Sequence, residues 1–470
     1  MILVPGVKGK KVGVFGLGAT GLAAAEALQK SGAEVFTFDE NPAAREKTAS
    51  TEYRAEHPKS WPWGELASLV LSPGVPLTHP KPHPIVKKAI AEGVEVIGDV
   101  ELFARALAAI PAAARPEVVA VTGSNGKSTT TALIGHVLKE AGRDTSVGGN
   151  IGRAILSLEP PTPGRVYVLE LSSFQLDLAR TFRPNVAVFL NISPDHIDRH
   201  GDLAGYVAAK RRIFLHQTAE DTAVVGVDDT ESQAVCAALS AAGAPRVTPI
   251  SAEGALGRGV FALGGKLFYN IDGKTGEAGD IRAVASLNGA HNHQNAAAAL
   301  AAVMALGVAP ALAVKTMERF EGLPHRMEIV GRQGAALFVN DSKATNADAA
   351  SKALKSYRDI FWIAGGKPKE GGVASLRPLM DRVRTAYLIG EAARAFEEQL
   401  AGAVPCVQCG DLAAAVARAA RDAAQSGLAS PVVLLSPAAA SYDQFRNFED
   451  RGDTFRRLVS ALSRSSGAAA

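Results

Sequence analysis

The segment Val118–Gly142, VVAVTGSNGKSTTTALIGHVLKEAG, leaves this chain the fewest choices. Its run Val118-Val119-Ala120-Val121 suits a buried strand. A turn of glycines and small polar residues follows at Thr122–Gly126, then Lys127-Ser128-Thr129. Leu133, Ile134, Val137 and Leu138 then repeat at helical spacing up to a stop at Gly142. A strand that breaks on glycine into a helix headed by lysine and hydroxyls makes a phosphate cradle, because helix-terminal N–H groups and the helix dipole both favour an anion. The expected ATP contacts are therefore Gly123, Asn125, Gly126, Lys127, Ser128 and Thr129, with Lys127 reaching the terminal phosphates and Ser128 or Thr129 available to Mg²⁺. The usual phosphate-loop spacing has glycine where this chain carries Val121, so the loop is a shortened variant. An ordinary strand-to-helix turn with a solvated lysine is the plainer alternative.

Such a loop needs a parallel sheet behind it, and the rest of the chain supplies the strands of an α/β protein. Residues 1–112 open with a strand at Lys11–Phe15, the turn GLGATG at 16–21, an Ala/Leu helix to Gly32 and a strand at Glu34–Phe38. That is a Rossmann-like unit, and Asp39 falls where an acid meets a ribose or base. The glycine pattern alone does not say which dinucleotide binds. Leu69–Leu71, opening into Ser72-Pro73-Gly74, adds another edge to the crevice. Pro111–Pro116 has linker composition, which gives domains at 1–112, 113–322 and 323–470.

In the central domain, strands at Arg165–Leu169 and Val186–Leu190 close on Glu170 and Asn191, and ligands gather at the carboxyl ends of parallel strands. Glu170 reads as a Mg²⁺-linked carboxylate or as a buried structural one. His196 reads as a cap, a core residue or a ligand. Lys210, within YVAAKRRIF, belongs by default to a solvated basic helix face. The amides of NGAHNHQN, Asn292 and Asn295 among them, hold a base or ribose or cap the helix they precede. The last domain repeats the rhythm with strands at Ala335–Val339, Ile360–Ala364, Thr385–Ile389 and Val432–Leu435. No glycine fingerprint follows its first strand, so it binds something other than a second dinucleotide.

Composition narrows the class. A chain of 470 residues makes two to four domains, and 47% apolar with 21% charged residues is ordinary for a soluble globular protein. A net charge of +3 is no nucleic-acid footprint. Three cysteines cannot staple a chain this long, and the lone pair Cys406/Cys409 lacks the four ligands of a zinc site. Ala296–Val314 carries no charge, but Gly307 and Pro310 interrupt it, which predicts two packed helices rather than a membrane span. MILVP is too short for a signal-peptide core, and the expected location is cytoplasmic.

Taken in order, GLGATG at 16–21, TGSNGKST at 122–129, GGNIG at 148–152, ELSSFQL at 170–176, SPDHIDRH at 193–200, HNHQN at 291–295, LPHRME at 323–328, NDSKATN at 340–346 and SPAAASYDQFRNFEDRG at 436–452 resemble the Mur ligases. These are ATP-dependent enzymes that add amino acids to the peptidoglycan precursor. The likeness spans essentially the whole chain. It implies three domains: a Rossmann-like UDP-binding domain, a P-loop-type central ATPase domain with a mainly parallel sheet, and a Rossmann-like amino-acid domain. Within the family it points to transfer of D-glutamate onto UDP-N-acetylmuramoyl-L-alanine through an acyl phosphate. By the resemblance Thr20, Asp39, Ser72, Gly74 and Asn150 hold the UDP-sugar, although Asp39-Glu40-Asn41 lacks the arginine often found there. Lys127, Asn292, Asn295, Arg326 and Asp341 match ATP positions. Ser128, Thr129, Glu170 and His196 match the environment of two Mg²⁺ ions, and Lys210 matches a carbamylated lysine. Lys127, Glu170, His196 and Lys210 are thus the implied catalytic set, with His196 supporting metal or orienting the substrate carboxylate. Lys343, Thr345, Ser441 and Phe448 match the D-glutamate pocket, and Lys369 joins them by spacing. The implied protein is a monomer without nucleic-acid partners or membrane insertion, its domains hinged to close over substrate. The alternatives are a sibling ligase of Mur or folylpolyglutamate type, a nicotinamide oxidoreductase built on the first glycine turn, and a nucleotide-switch protein.

Overall fold

The computed structural model describes residues 1–46, 53–368 and 371–467. It divides into two compact units, one of Met1–Ala283 with Asn292–Arg319, the other of Val284–His291 with Phe320–Ala470.

The first unit holds two sheets. The smaller is parallel throughout, in the order Arg54–Ala55, Glu34–Phe38, Lys11–Phe15, Leu66–Leu71, Val96–Ile97. Lys11–Phe15 and Glu34–Phe38 form with the bounds predicted from their hydrophobic runs. Their two faces feed different cores: Val12 and Val14 pack with Ala24, Leu28 and Phe103, whereas Phe15 packs with Trp61, Trp63 and Leu69.

In the larger sheet six parallel strands run in the order Thr145–Gly149, Val166–Glu170, Glu117–Thr122, Val186–Phe189, Thr222–Gly226, Arg246–Ser251. Glu117–Thr122 lies between Val166–Glu170 and Val186–Phe189, with Val121 opposite Glu170 and Thr122 opposite Phe189. That register puts the glycine turn, Glu170 and the loop after Phe189 at one carboxyl edge. Gly259–Leu263, Lys266–Ile271 and Lys274–Asp280 extend the sheet, the last two pairings antiparallel. Nothing local in the sequence marks this ribbon, because Lys266–Ile271 and Lys274–Asp280 bury one residue each and the second is polar and broken by glycine. The charge-free stretch forms parts of two helices, Ala290–Ala305 and Pro310–Met317, as predicted. Among the described residues no helix is long and apolar enough to cross a membrane.

The second unit is built on six strands ordered Glu328–Gln333, Ala336–Asn340, Val432–Leu435, Ile360–Gly365, Val383–Ile389, Cys406–Gly410, parallel except for the first pair. The inner four are the strands read from sequence. The two edge strands were missed because partial exposure leaves them no continuous apolar signature. Cys406 and Cys409 sit on one of those edges as free thiols.

Candidate active site

The turn after Glu117–Thr122 is held by side chains from two other segments. Asn191 grips it twice, accepting from the Asn125 amide at 2.9 Å and donating to the Asn125 carbonyl at 3.2 Å. Ser124 N donates to Asn191 O at 2.8 Å, and Ser124 Oγ donates to Ser193 O at 2.9 Å. Asn295 reaches the helix Lys127–Glu140 by accepting from Thr130 Oγ1 at 3.1 Å, and donates to Asn292 at 3.1 Å. Gly126 is left-handed at φ +84°, and a Cβ there would lie 2.2 Å from Asn295 Oδ1. Loop and asparagine pair are thus one piece. Lys127 Nζ folds back onto the carbonyls of Gly123 and Ser124, both at 2.8 Å.

Lys210 donates to the same Gly123 oxygen at 2.8 Å, and its Nζ lies 4.6 Å from the centre of the Tyr206 ring. It is 1% exposed, which overturns the default reading of a solvated face. Burial pushes its pKa well below the ordinary lysine value and the charge of Lys127 pushes the same way, against weaker pulls from Asp195 and Glu170. Glu170 is buried at the end of its strand. Its Oε1 accepts from Asn150 Nδ2 at 2.7 Å, while its Oε2 has no hydrogen-bond partner among the described residues. A buried carboxylate oxygen left without a donor beside a phosphate loop fits a divalent cation. Among the described residues no three His, Cys, Asp or Glu side chains cluster as a protein-only cage. Mg²⁺ takes one or two carboxylates and fills the rest of its shell from phosphates and water. Ser128, buried at the head of the helix, belongs to the same edge.

His196 stands left-handed at φ 53°, half exposed, its ring 4.9 Å from Phe174. Burial lowers its pKa, Asp195 opposes, and the charges of Lys210 and Lys127 lower it further. Its neighbour Arg199 donates to the carbonyl of Gly74 at 3.0 Å and covers the Phe174 ring at 4.6 Å. Arg199 therefore ties the Ser72–Gly74 loop to the phosphate side. Sequence reading left Arg199 and Asn191 without roles, although SPDHIDRH and a strand end contained them.

In the smaller sheet Asp39 Oδ2 accepts from Leu17 N at 2.6 Å, locking the glycine turn that leads into Thr20. Arg45, not an arginine at 40 or 41, reaches back to the carbonyls of Asp39 and Glu40 at 2.7 and 3.0 Å. Beside them opens a pocket of about 430 Å³ lined by Phe15, Phe38, His57, Trp63 and His83.

In the second unit Asp341 is buried. It accepts from Ser436 Oγ at 2.8 Å and Met327 N at 3.3 Å, and burial raises its pKa to about 7, with Arg326 opposing. Lys343 Nζ lies 3.7 Å from the centre of the Phe448 ring, and Ser342 Oγ donates to Phe448 O at 2.8 Å. Ser441 is buried and Thr345 N donates to Lys343 O at 2.8 Å. Lys369 lies outside the described residues. The residue sequence reading missed is Arg451, fully buried, whose guanidinium donates to Ser342 Oγ and to the carbonyls of Ser342, Ala439, Ala440 and Gly365 at 2.9–3.5 Å. One cation binds together the loops that carry Lys343, Ser441 and the Gly365 turn.

This fold and site define a nucleotide-using α/β enzyme, with a phosphate loop, a metal-ready carboxylate and a buried lysine on one sheet edge. Family models match along the chain: the Mur ligase MurD-like N-terminal domain at residues 10–98, the Mur ligase middle domain at 121–303 and the Mur ligase glutamate ligase domain at 325–439. The chain belongs to the Mur ligase family and is an ATP-dependent, amide-bond-forming ligase. It is 55% identical over 470 residues to UDP-N-acetylmuramoylalanine–D-glutamate ligase of Caulobacter vibrioides, covering 100% of both chains. It is 52% identical to the enzyme of the same name from Phenylobacterium zucineum, covering 98% of each. A solved UDP-N-acetylmuramate-alanine ligase from Thermotoga maritima shares the fold with a TM-score of 0.57 at 18% identity, over 97% of this chain and 99% of that one.

Proposed function

We propose that this enzyme joins D-glutamate to UDP-N-acetylmuramoyl-L-alanine at the expense of ATP, in the cytoplasm and as a monomer. The observation that carries the choice of substrates is the full-length identity with the Caulobacter relative, and the site geometry supports the chemistry. A carboxylate is a poor electrophile, so the reaction starts by passing the γ-phosphoryl group to the alanyl carboxylate. The glutamate amine then attacks the acyl phosphate and phosphate leaves. Phosphoryl transfer is mainly positioning and charge neutralisation.

Asn191 and Asn295 hold the loop in shape, and Lys127 turns from the loop carbonyls to the β- and γ-oxygens. Ser128, Glu170 and a carbamylated Lys210 would hold two Mg²⁺ ions, with His196 beside them; the ions would supply charge neutralisation. The lowered pKa of Lys210 favours loss of the ammonium proton; the neutral amine would then add to CO₂ and release a second proton, leaving a carbamate anion where a cation stood. Asn292, Asn295, Arg326 and Asp341 take the rest of ATP. Thr20, Asp39, Ser72, Gly74 and Asn150 take the UDP-sugar, with the aromatic pocket beside Asp39 of a size for a pyrimidine ring. Lys343, Lys369, Thr345, Ser441 and Phe448 take D-glutamate, the lysines pairing its carboxylates. This assignment follows domains at 1–112, 113–322 and 323–470.

The test is phosphate release from ATP with UDP-N-acetylmuramoyl-L-alanine and, in turn, glycine, L-alanine, L-glutamate, D-glutamate and diaminopimelate. Turnover is expected with D-glutamate alone. Robust turnover with L-glutamate and none with the D-isomer would reject the assignment.

A further inference from the structure

Apart from the phosphate edge, the first unit buries a second polar cluster. It lies where the helix Asp99–Ala108 meets the segment Ser172–Thr181. Gly98 N donates to Leu178 O at 3.2 Å, and a Cβ on Gly98 would sit 2.9 Å from Leu178 Cβ, so only glycine permits the approach. Glu101, fully buried, accepts from the amides of Arg180 and Thr181 at 2.8 Å and from Thr181 Oγ1 and Arg105 Nε at 2.9 Å. Four donors satisfy it, and its work is to close the seam.

Asp99 is placed differently. It is 2% exposed and accepts from Gln175 Nε2, at 3.2 Å to Oδ2 and 3.5 Å to Oδ1, and from backbone N–H groups at its own helix start. Gln175 is also half of a capping box: its Oε1 accepts from Ser172 N at 3.2 Å, and Ser172 Oγ accepts from Gln175 N at 3.2 Å. Ser172 stands two residues after Glu170, and Leu171 between them is pinned to Val121 O at 2.9 Å and to Thr122 Oγ1 at 2.9 Å. The helix that this box starts, Ser173–Asp177, is five residues long, too short to hold itself by its own hydrogen bonds.

We propose that Asp99 is a positioning residue that, through Gln175, fixes the turn after Glu170 and so aims the Glu170 carboxylate at the Mg²⁺ it serves. This rests on the role given to Glu170 under the proposed function. Partners bonded directly to a metal ligand cost about 10–100-fold in metal affinity or activity when removed, and Asp99, which acts one link further out through Gln175, is expected at the lower end.

The test uses the full chain with Asp99→Ala, Asp99→Asn (which keeps an acceptor for Gln175), Glu101→Gln and Glu170→Gln. Two quantities are read: amide exchange of residues 171–176 in ligand-free protein, and the MgCl₂ concentration giving half-maximal phosphate release. Asp99→Ala is expected to speed exchange of 171–176 about tenfold while Val186–Phe189 stays protected. The Mg²⁺ midpoint should rise about tenfold, and Asp99→Asn should stay within about threefold of wild type in both. Glu101→Gln should lower the melting temperature without moving the Mg²⁺ midpoint. If Asp99→Ala leaves both quantities near wild type while Glu170→Gln shifts the Mg²⁺ midpoint, the inference is overturned and the Glu170 assignment stands. If Glu170→Gln shifts nothing, that assignment fails and the inference falls with it. Should Asp99→Ala not fold, Gln175→Met cuts the same link from the other side and is judged by the same two readouts.

Discussion

Lys210 and Lys127 share one carbonyl oxygen, that of Gly123, and Lys210 is the one shut away from water. Two ammonium groups so close cannot both stay charged cheaply. Carbamylation of Lys210, as proposed above, would relieve that repulsion. Enzyme equilibrated with ¹³C-bicarbonate is therefore expected to show one carbamate carbon resonance that Lys210→Met abolishes together with turnover. Full activity of Lys210→Met would refute the role. The sequence could not disclose this burial: YVAAKRRIF reads as a basic face, and the partner that buries Lys210 lies 87 positions away.

Asp341 makes a second prediction of the same kind. Its native pKa rises from 3.8 to about 7 because it is buried, so between those values the folded protein keeps a proton that the unfolded chain has released. The second unit should lose stability as pH rises through that window, and Asp341→Asn should flatten the loss. Urea midpoints across the window, read on Trp362, would check it; an unchanged slope in Asp341→Asn would contradict it.

At the level of elements, the strands that position the site were legible wherever both faces are covered, because continuous apolar runs such as VVAV and VAVF need no partner to be recognised. Edge strands and the Gly259–Asp280 ribbon were not, since their pairing depends on neighbours the local pattern does not encode. The phosphate loop lay between these cases. Its residues were plain, but its shape depends on Asn191 and Asn295, which come from distant segments. Gly126 shows how narrow that shape is. Gly126→Ala would meet a left-handed backbone and the Asn295 amide together, so it should destabilise the first unit by about 1–3 kcal/mol. The displaced loop should also lower phosphate release about a hundredfold. Urea titration and the phosphate assay measure the two effects, and wild-type behaviour in both would show that the contact gives way without consequence. Arg451 marks the opposite limit of legibility: it stands inside the 436–452 motif with nothing local to mark its burial, yet it is the buried clamp of three loops.

On the scale of the molecule, three family domains form two structural units, because the first two share a core. Phe103, on the helix Asp99–Ala108, packs edge-on against Tyr167 of the central sheet with ring centres 5.2 Å apart at 83°, both rings fully buried. Phe103→Ala should cost about 3–5 kcal/mol, the range for emptying a buried aromatic site. Because the site belongs to both sheets, the loss should fall on both. The tryptophans allow this to be read, since Trp61 and Trp63 lie in the smaller sheet's core and Trp362 in the second unit. In a Trp362→Phe background, Phe103→Ala is expected to move the Trp61/Trp63 transition to lower denaturant. Amide exchange in Val186–Phe189 should accelerate in step, because the central sheet opens with its neighbour. In a background lacking Trp61 and Trp63, the Trp362 transition should stay where it was. A Trp61/Trp63 shift with Val186–Phe189 still protected would mean that the two sheets unfold separately despite their common core. An equal shift of Trp362 would mean that the two units unfold as one.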